Sequence, residues 1–101
     1  MKFYLAEMEM REAVEEAKTL EDFVRIGLSH VEFKSKRGEI FYCYEMIGDH
    51  EVEAYPIHRA DPMVERLDGE TPVEFVCYDR DDDGYAIVII EEKKDEEVQS
   101  N

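Results

Sequence analysis

The chain has 101 residues, an apolar content of 44% and a formal net charge of −15. This length suits one domain with a modest core, and this apolar content argues against a wholly disordered chain. The negative charge argues against direct binding to a nucleic-acid backbone and favours basic proteins, cationic peptides or metal ions as partners. The sequence contains no apolar run of membrane-spanning length and no secretory leader, so we expect a cytoplasmic protein.

Two helices are predicted at the beginning of the chain. Apolar residues recur at steps of three and four over residues 3–18, which is typical of an amphipathic helix. Residues 2–5 could instead form a short strand ahead of a helix that begins near Glu7. Thr19, followed three residues later by Asp22, is typical of a helix N-cap with a capping box. We therefore expect a second helix of about eight residues after Thr19.

Extended strands are predicted from position 30 onward, where apolar and polar residues begin to alternate. The predicted strands are residues 30–34, 40–47, 50–55, 72–78 and 85–90. Asp61 as N-cap and Pro62 in the first position predict a short helix that ends near Leu67. The last two strands form a predicted hairpin, whose second arm is apolar enough to lie inside the sheet with both faces buried.

This order of elements predicts an α+β fold. We expect two N-terminal helices followed by a mainly antiparallel sheet of about five strands, with one short inserted helix. Residues 1–92 would form this single acidic domain. Residues 93–101 contain almost no apolar side chain and are predicted to be a disordered acidic tail.

The charge is unevenly distributed along the chain. Residues 1–37 hold 8 acids and 7 bases, whereas residues 38–101 hold 19 acids and 5 bases. A solvated acidic surface, as in a halophile-type domain of unrelated role, would explain this excess without a partner. The specific alternative is a surface that resembles a nucleic-acid backbone and occupies the basic groove of a nucleic-acid-handling protein.

We favour the second explanation, that the acidic surface resembles a nucleic-acid backbone, and expect the chain to be a small non-enzymatic binding protein. Such proteins occur as viral host-takeover factors and as immunity or antitoxin proteins, and we expect this one to inhibit its basic partner. The acids would supply the charge and two tyrosines the anchoring contact area. The predicted partner-binding residues are Glu51, Glu53, Tyr55, Glu74, Tyr78, Asp79, Asp81, Asp82 and Asp83.

The loop inside the predicted hairpin suggests a different function. Asp79, Asp81 and Asp83 alternate with other residues and precede Gly84, a pattern that resembles the first half of an EF-hand calcium loop. These three carboxylates would bind Ca²⁺ or Mg²⁺. The twelfth position of the loop, where an EF-hand has glutamate, is Ile90, so the predicted site is incomplete.

No catalytic residue is predicted. Glu32 and Lys34 match the end of a metal-dependent nuclease pattern, but that pattern needs a further acid on an adjoining strand, and Asp22 lies in a predicted helix. The histidines and cysteines lack the spacing of a zinc site. Cys43 and Cys77 lie in predicted strands, where we expect buried thiols that could form a bridge only if their strands are neighbours.

Overall fold

The structure is a computed structural model with two helices ahead of a six-stranded sheet. It describes residues 5–26, 30–58, 60–80, 82–84 and 86–94, with residues 5–10 described by their backbone alone. The helices are α1 (Leu5–Glu16) and α2 (Leu20–Arg25). The strands are β1 (His30–Lys34), β2 (Ile40–Met46), β3 (Glu51–Pro56), β4 (Glu65–Asp68), β5 (Val73–Arg80) and β6 (Ala86–Glu92). The predicted α+β class with two N-terminal helices is confirmed.

The six strands form one mixed sheet in the order β4-β3-β2-β1-β6-β5. The pairing of β1 with β6 is parallel, and the other four pairings are antiparallel. The predicted hairpin is confirmed as β5 and β6. The prediction of about five strands was wrong, because a sixth strand joins the outer edge of β3.

That sixth strand stands where a short helix was predicted. The helix expected from Asp61 to Leu67 is absent from the described residues, and Glu65–Asp68 form β4 instead. β4 pairs antiparallel with β3, and Leu67 lies opposite Val52 and packs half-buried against the core. A single helical turn closes few hydrogen bonds for the residues it orders, so the free edge of β3 and the apolar contact of Leu67 outweigh the local helix signal.

The predicted cap of α2 is confirmed. Thr19 Oγ1 accepts the backbone N–H of Asp22 at 3.3 Å, and Asp22 Oδ2 accepts the backbone N–H groups of Thr19 and Lys18 at 3.1 Å and 3.0 Å. Burial by itself would raise the pKa of Asp22, but these hydrogen bonds outweigh it and lower that pKa. The cap orients α2 so that Leu20 and Phe23, which are 0% and 1% exposed, enter the core.

The core lies between the helices and one face of the sheet, which we call the helix-covered face. α2 packs against β1, β2 and β3, and Val14 of α1 joins the same cluster. The sheet contributes Val31, Phe33, Phe41, Cys43, Val52, Ala54, Val73, Val88 and Ile90. Burying a large apolar side chain contributes about 1.5–3 kcal/mol, so this one-sided cluster accounts for most of the stability of the fold.

The two cysteines lie on different faces and cannot form a bridge. Cys43 is buried in the core, where burial raises its pKa to about 12. Cys77 is exposed on β5, so the prediction of a buried thiol was wrong for this residue. β1 and β6 lie between the strands that carry the two thiols.

Some predictions fall at the ends of the described chain. Lys93 and Lys94 follow β6 without regular structure, and the rest of the predicted tail lies outside the described residues. Neither described helix has the length and apolar character needed to cross a membrane.

Candidate binding face

The sheet face opposite the helices is the candidate functional surface, and we call it the open face. Side chains alternate between the two faces along each strand, and the pairing registers carry this alternation across the sheet. The open face presents His30, Glu32, Lys34, Ile40, Tyr42, Tyr44, Glu45, Glu51, Glu53, Tyr55, Arg66, Asp68, Glu74, Cys77, Asp79, Ile87, Ile89 and Glu91.

A β-bulge in β2 brings one carboxylate onto the open face. The pairing of β2 with β3 passes from Cys43 opposite Ala54 to Glu45 opposite Glu53, which leaves Tyr44 as an extra residue. If β2 had no bulge, regular alternation after the buried Cys43 would turn Tyr44 outward and Glu45 toward the helices. The bulge therefore places Glu45 beside Glu53.

A second bulge has the same effect in β5. The register with β6 shifts between Phe75 and Cys77, so that Val76 is the extra residue. This shift turns Asp79 onto the open face and Tyr78 onto the helix-covered face. Both bulges thus move an acidic residue away from the core, where an ionised carboxylate would be costly to bury.

Aromatic rings occupy the middle of the open face. The rings of His30 and Tyr42 are 4.9 Å apart at 85°, and those of Tyr44 and Tyr55 are 5.2 Å apart at 85°. Tyr44 links the two pairs, because its ring lies 6.4 Å from that of Tyr42. Burial, followed by the neighbouring Tyr42 and Tyr55, raises the pKa of Tyr44.

Carboxylates surround these rings and outnumber the cations. The open face presents eight acids: Glu32, Glu45, Glu51, Glu53, Asp68, Glu74, Asp79 and Glu91. Lys34 and Arg66 are the two lysine or arginine residues among the described side chains of this face, and Arg66 Nη1 lies 3.8 Å from Glu51 Oε1. The helical segment 5–26 is better balanced, with seven acids and three bases.

The residues predicted to bind a partner are only partly brought together. Glu51, Glu53, Tyr55, Glu74 and Asp79 all lie on the open face. Tyr78 lies on the helix-covered face, with its ring 4.9 Å from that of Phe75. Asp82 and Asp83 are exposed in the β5–β6 turn, and Asp81 lies outside the described residues.

Sequence reasoning missed Glu45 and the aromatic group of His30, Tyr42 and Tyr44. Tyr55 and Tyr78 were the two tyrosines predicted as anchors, and no local signal marks the bulge that redirects Glu45. The alternation of Glu32 with the buried Val31 and Phe33 of β1, and that of Tyr42 with its two buried neighbours in β2, could have placed both residues on the open face.

The predicted metal loop forms a tight hairpin turn. Asp79 Oδ1 accepts the N–H of Arg80 at 2.8 Å, and Arg80 Nη1 donates to the carbonyl of Gly84 at 2.7 Å. Gly84 has a φ of 87°, which only glycine adopts without strain. Binding of Ca²⁺ or Mg²⁺ by Asp79, Asp81 and Asp83 stays a prediction, since Asp81 lies outside the described residues.

A separate ion-pair cluster joins α2 to two turns of the sheet. His50 Nδ1 lies 2.8 Å from Glu21 Oε1, and its Nε2 lies 3.0 Å from Glu70 Oε2. The hydrogen bond to Glu21 raises the pKa of His50. Desolvation opposes this increase, and the charges of Glu21, Glu70 and Asp49 add to it. Within the described part of the chain these three ligand side chains converge closely enough to hold a metal ion. Because each ring nitrogen already faces a carboxylate, the arrangement favours an imidazolium ion pair.

A close approach of two chain segments positions this cluster. The N–H of Glu21 donates to the carbonyl of Gly69 at 2.7 Å, and the N–H of Gly69 donates to the carbonyl of His50. A Cβ on Gly69 would lie 3.0 Å from both the Glu21 Cβ and the His50 carbonyl oxygen. A larger residue at position 69 would therefore push these two segments apart by a few tenths of an ångström.

Comparison of the chain with protein-family models, with curated proteins and with solved structures finds no match. Functional inference therefore depends on the open face itself.

Proposed function

We propose that the protein is a non-enzymatic binding protein that engages a basic, nucleic-acid-handling protein through its open face and inhibits it. One observation supports this proposal most strongly: eight carboxylates and two lysine or arginine residues surround a group of aromatic rings on a single side of the sheet. Apolar and aromatic centres with polar rims are typical of protein interfaces. The excess of carboxylates complements a partner that carries positive charge for holding phosphates.

The dimensions of the face predict what kind of complex it forms. Five inter-strand spacings of about 4.8 Å and strands of about 20 Å give an area of roughly 500 Å². A standard-size interface buries about 800 Å² on each partner. A complex limited to the open face would thus depend on electrostatic steering, and its affinity would fall steeply with added salt.

The test removes charge from each side of the protein in turn. The open-face variant combines Glu45→Gln, Glu53→Gln and Asp79→Asn, and the control combines Glu12→Gln, Glu15→Gln and Glu16→Gln on the exposed side of α1. Both variants lose three negative charges. Binding is measured against an immobilised cationic peptide and a purified basic DNA-packing protein, with duplex DNA as competitor.

The open-face variant should bind roughly tenfold more weakly than the parent protein, and the control should retain most of the affinity. Binding should weaken as salt rises from about 0.1 M to about 1 M, where the Debye length falls from about 10 Å to about 3 Å. Equal losses in the two variants would mean that net charge alone drives binding, and the proposal would then be wrong. Absence of salt-sensitive binding by the parent protein would also overturn it.

A further inference from the structure

The open face contains a hollow between β2 and β3 with a distinct composition. Tyr44, Glu45, Glu53 and Tyr55 line this Tyr44–Tyr55 hollow, whose volume is about 390 Å³. The two tyrosine rings stand nearly perpendicular, at 85°, with their centroids 5.2 Å apart. Its size falls within the range of about 300–1,000 Å³ that is usual for ligand pockets. The hollow thus offers two aromatic walls and two carboxylates to one small group.

The two carboxylates of the hollow are uncompensated. Glu45 and Glu53 lie directly opposite each other in the β2–β3 pairing. Like charges in this position destabilise a sheet. Among the described residues no lysine, arginine or histidine nitrogen lies within 4.0 Å of either carboxylate, and Arg66, the register neighbour of Glu53, instead approaches Glu51. A cation from outside would remove this repulsion.

A second pair of opposed acids on the same face lacks the aromatic walls. Glu74 lies opposite Glu91 in the β5–β6 pairing. Glu91 has Lys34 as its register neighbour on β1, just as Glu53 has Arg66 on β4. No tyrosine of the described residues lies beside Glu74 or Glu91 in these pairings. The two tyrosine rings, and not the opposition of like charges, therefore distinguish the Tyr44–Tyr55 hollow from the rest of the face.

We infer that the Tyr44–Tyr55 hollow receives the guanidinium group of an arginine side chain of the basic partner. A guanidinium stacks on aromatic rings and is attracted by their faces. Its fork of N–H groups can also donate to two carboxylates at once. An ammonium group has the charge but lacks the planar shape, so the hollow prefers arginine over lysine. This inference rests on the proposed function, since it names the side chain by which that partner is held.

The experiment compares two basic peptides of equal length and charge, one with arginine and one with lysine at every cationic position. Binding is followed by changes in the backbone amide NMR signals of residues 44, 45, 53 and 55. The hollow variants are Glu53→Gln and Tyr44→Leu, and the matched control is Glu74→Gln, which removes one charge from the same face. A retained NMR spectrum outside the hollow shows that each variant folds.

The parent protein should bind the arginine peptide about threefold to tenfold more tightly than the lysine peptide. Each hollow variant should lose that preference, whereas Glu74→Gln should weaken both peptides equally and keep it. Equal binding of the two peptides by the parent protein would overturn the inference and leave the proposed binding function standing. Failure of both peptides to bind would reject the proposed function as well.

Discussion

The two faces of the sheet are built from the same strands, yet their chemistry differs. On the helix-covered face Phe41 and Val88 are 1% and 0% exposed, and both belong to the buried core cluster. On the open face Tyr44 is 47% exposed, and its neighbours are other aromatic rings and carboxylates. The helix-covered face has the composition of a core that stabilises the chain. The open face retains repulsive charges that a surface serving only stability would not need.

This difference separates stability from binding within one sheet. Substitutions on the helix-covered face should change the free energy of unfolding, and those on the open face should change association with a cationic partner. The clearest cases are residues of the same strand whose side chains point to opposite faces.

The largest expected effect is on the helix-covered face. Phe41→Ala should lower the free energy of unfolding by about 3–5 kcal/mol, because it removes a buried ring and leaves a cavity. Tyr44→Ala, three residues along β2, should cost about 1 kcal/mol, which is typical of lost contact between partly exposed rings. Urea denaturation measures both. Similar losses for the two variants would mean that the open face is also part of the structural core.

A smaller effect of the opposite sign is expected at the opposed acids. Glu53→Gln should stabilise the protein by about 0.2–1 kcal/mol, since it removes the like charge facing Glu45. The gain should shrink as salt rises, because the repulsion is between exposed or half-exposed groups. Glu12→Gln on α1 serves as the control for the change in net charge. Destabilisation by Glu53→Gln would show that this carboxylate makes a favourable contact in the free protein.

The ion-pair cluster of His50, Glu21 and Glu70 lies outside both faces, and it should make the stability of the protein depend on pH. Because the folded protein raises the pKa of His50 above 6.5, His50 stabilises the fold fully below about pH 6.5. That contribution is lost as pH rises through the folded pKa. The free energy of unfolding of the parent protein should therefore fall relative to that of His50→Gln as the pH rises from about 6 to about 8, a range that includes the ordinary histidine pKa. NMR titration of the ring gives the pKa directly, and a value at or below 6.5 would contradict the ion pair.

The smallest effect concerns reactivity and leaves stability unchanged. Cys77 is exposed on the open face and should react with iodoacetamide in the native protein. Cys43, buried and with a pKa of about 12, should react only after unfolding. Mass spectrometry of the labelled peptides measures both rates. Equal labelling of the two thiols under native conditions would contradict the assignment of the two faces.

Several features of the fold follow from local sequence alone. The Thr19 cap, the strand alternation of Val52 and Ala54 and the β5–β6 hairpin were predicted and are present. Each depends on a few neighbouring residues, through one side-chain hydrogen bond, a period of two or a turn. The excess of acids after residue 37 is likewise a property of the sequence. Partner binding by Glu51, Glu53 and Asp79 stays a prediction, and all three side chains are exposed or half-exposed.

Other features depend on partners distant in sequence. β4 exists because β3 offers a free edge, and β6 lies parallel to β1 because the β5–β6 hairpin docks as a unit against the edge of β1. The bulges at Tyr44 and Val76 are set by the registers with β3 and β6, and a shift of one residue turns every following side chain to the other face. The sequence alone therefore determined that the protein is acidic and sheet-centred. Tertiary pairing decided which carboxylates share a face with the tyrosines, since that depends on registers that no local pattern specifies.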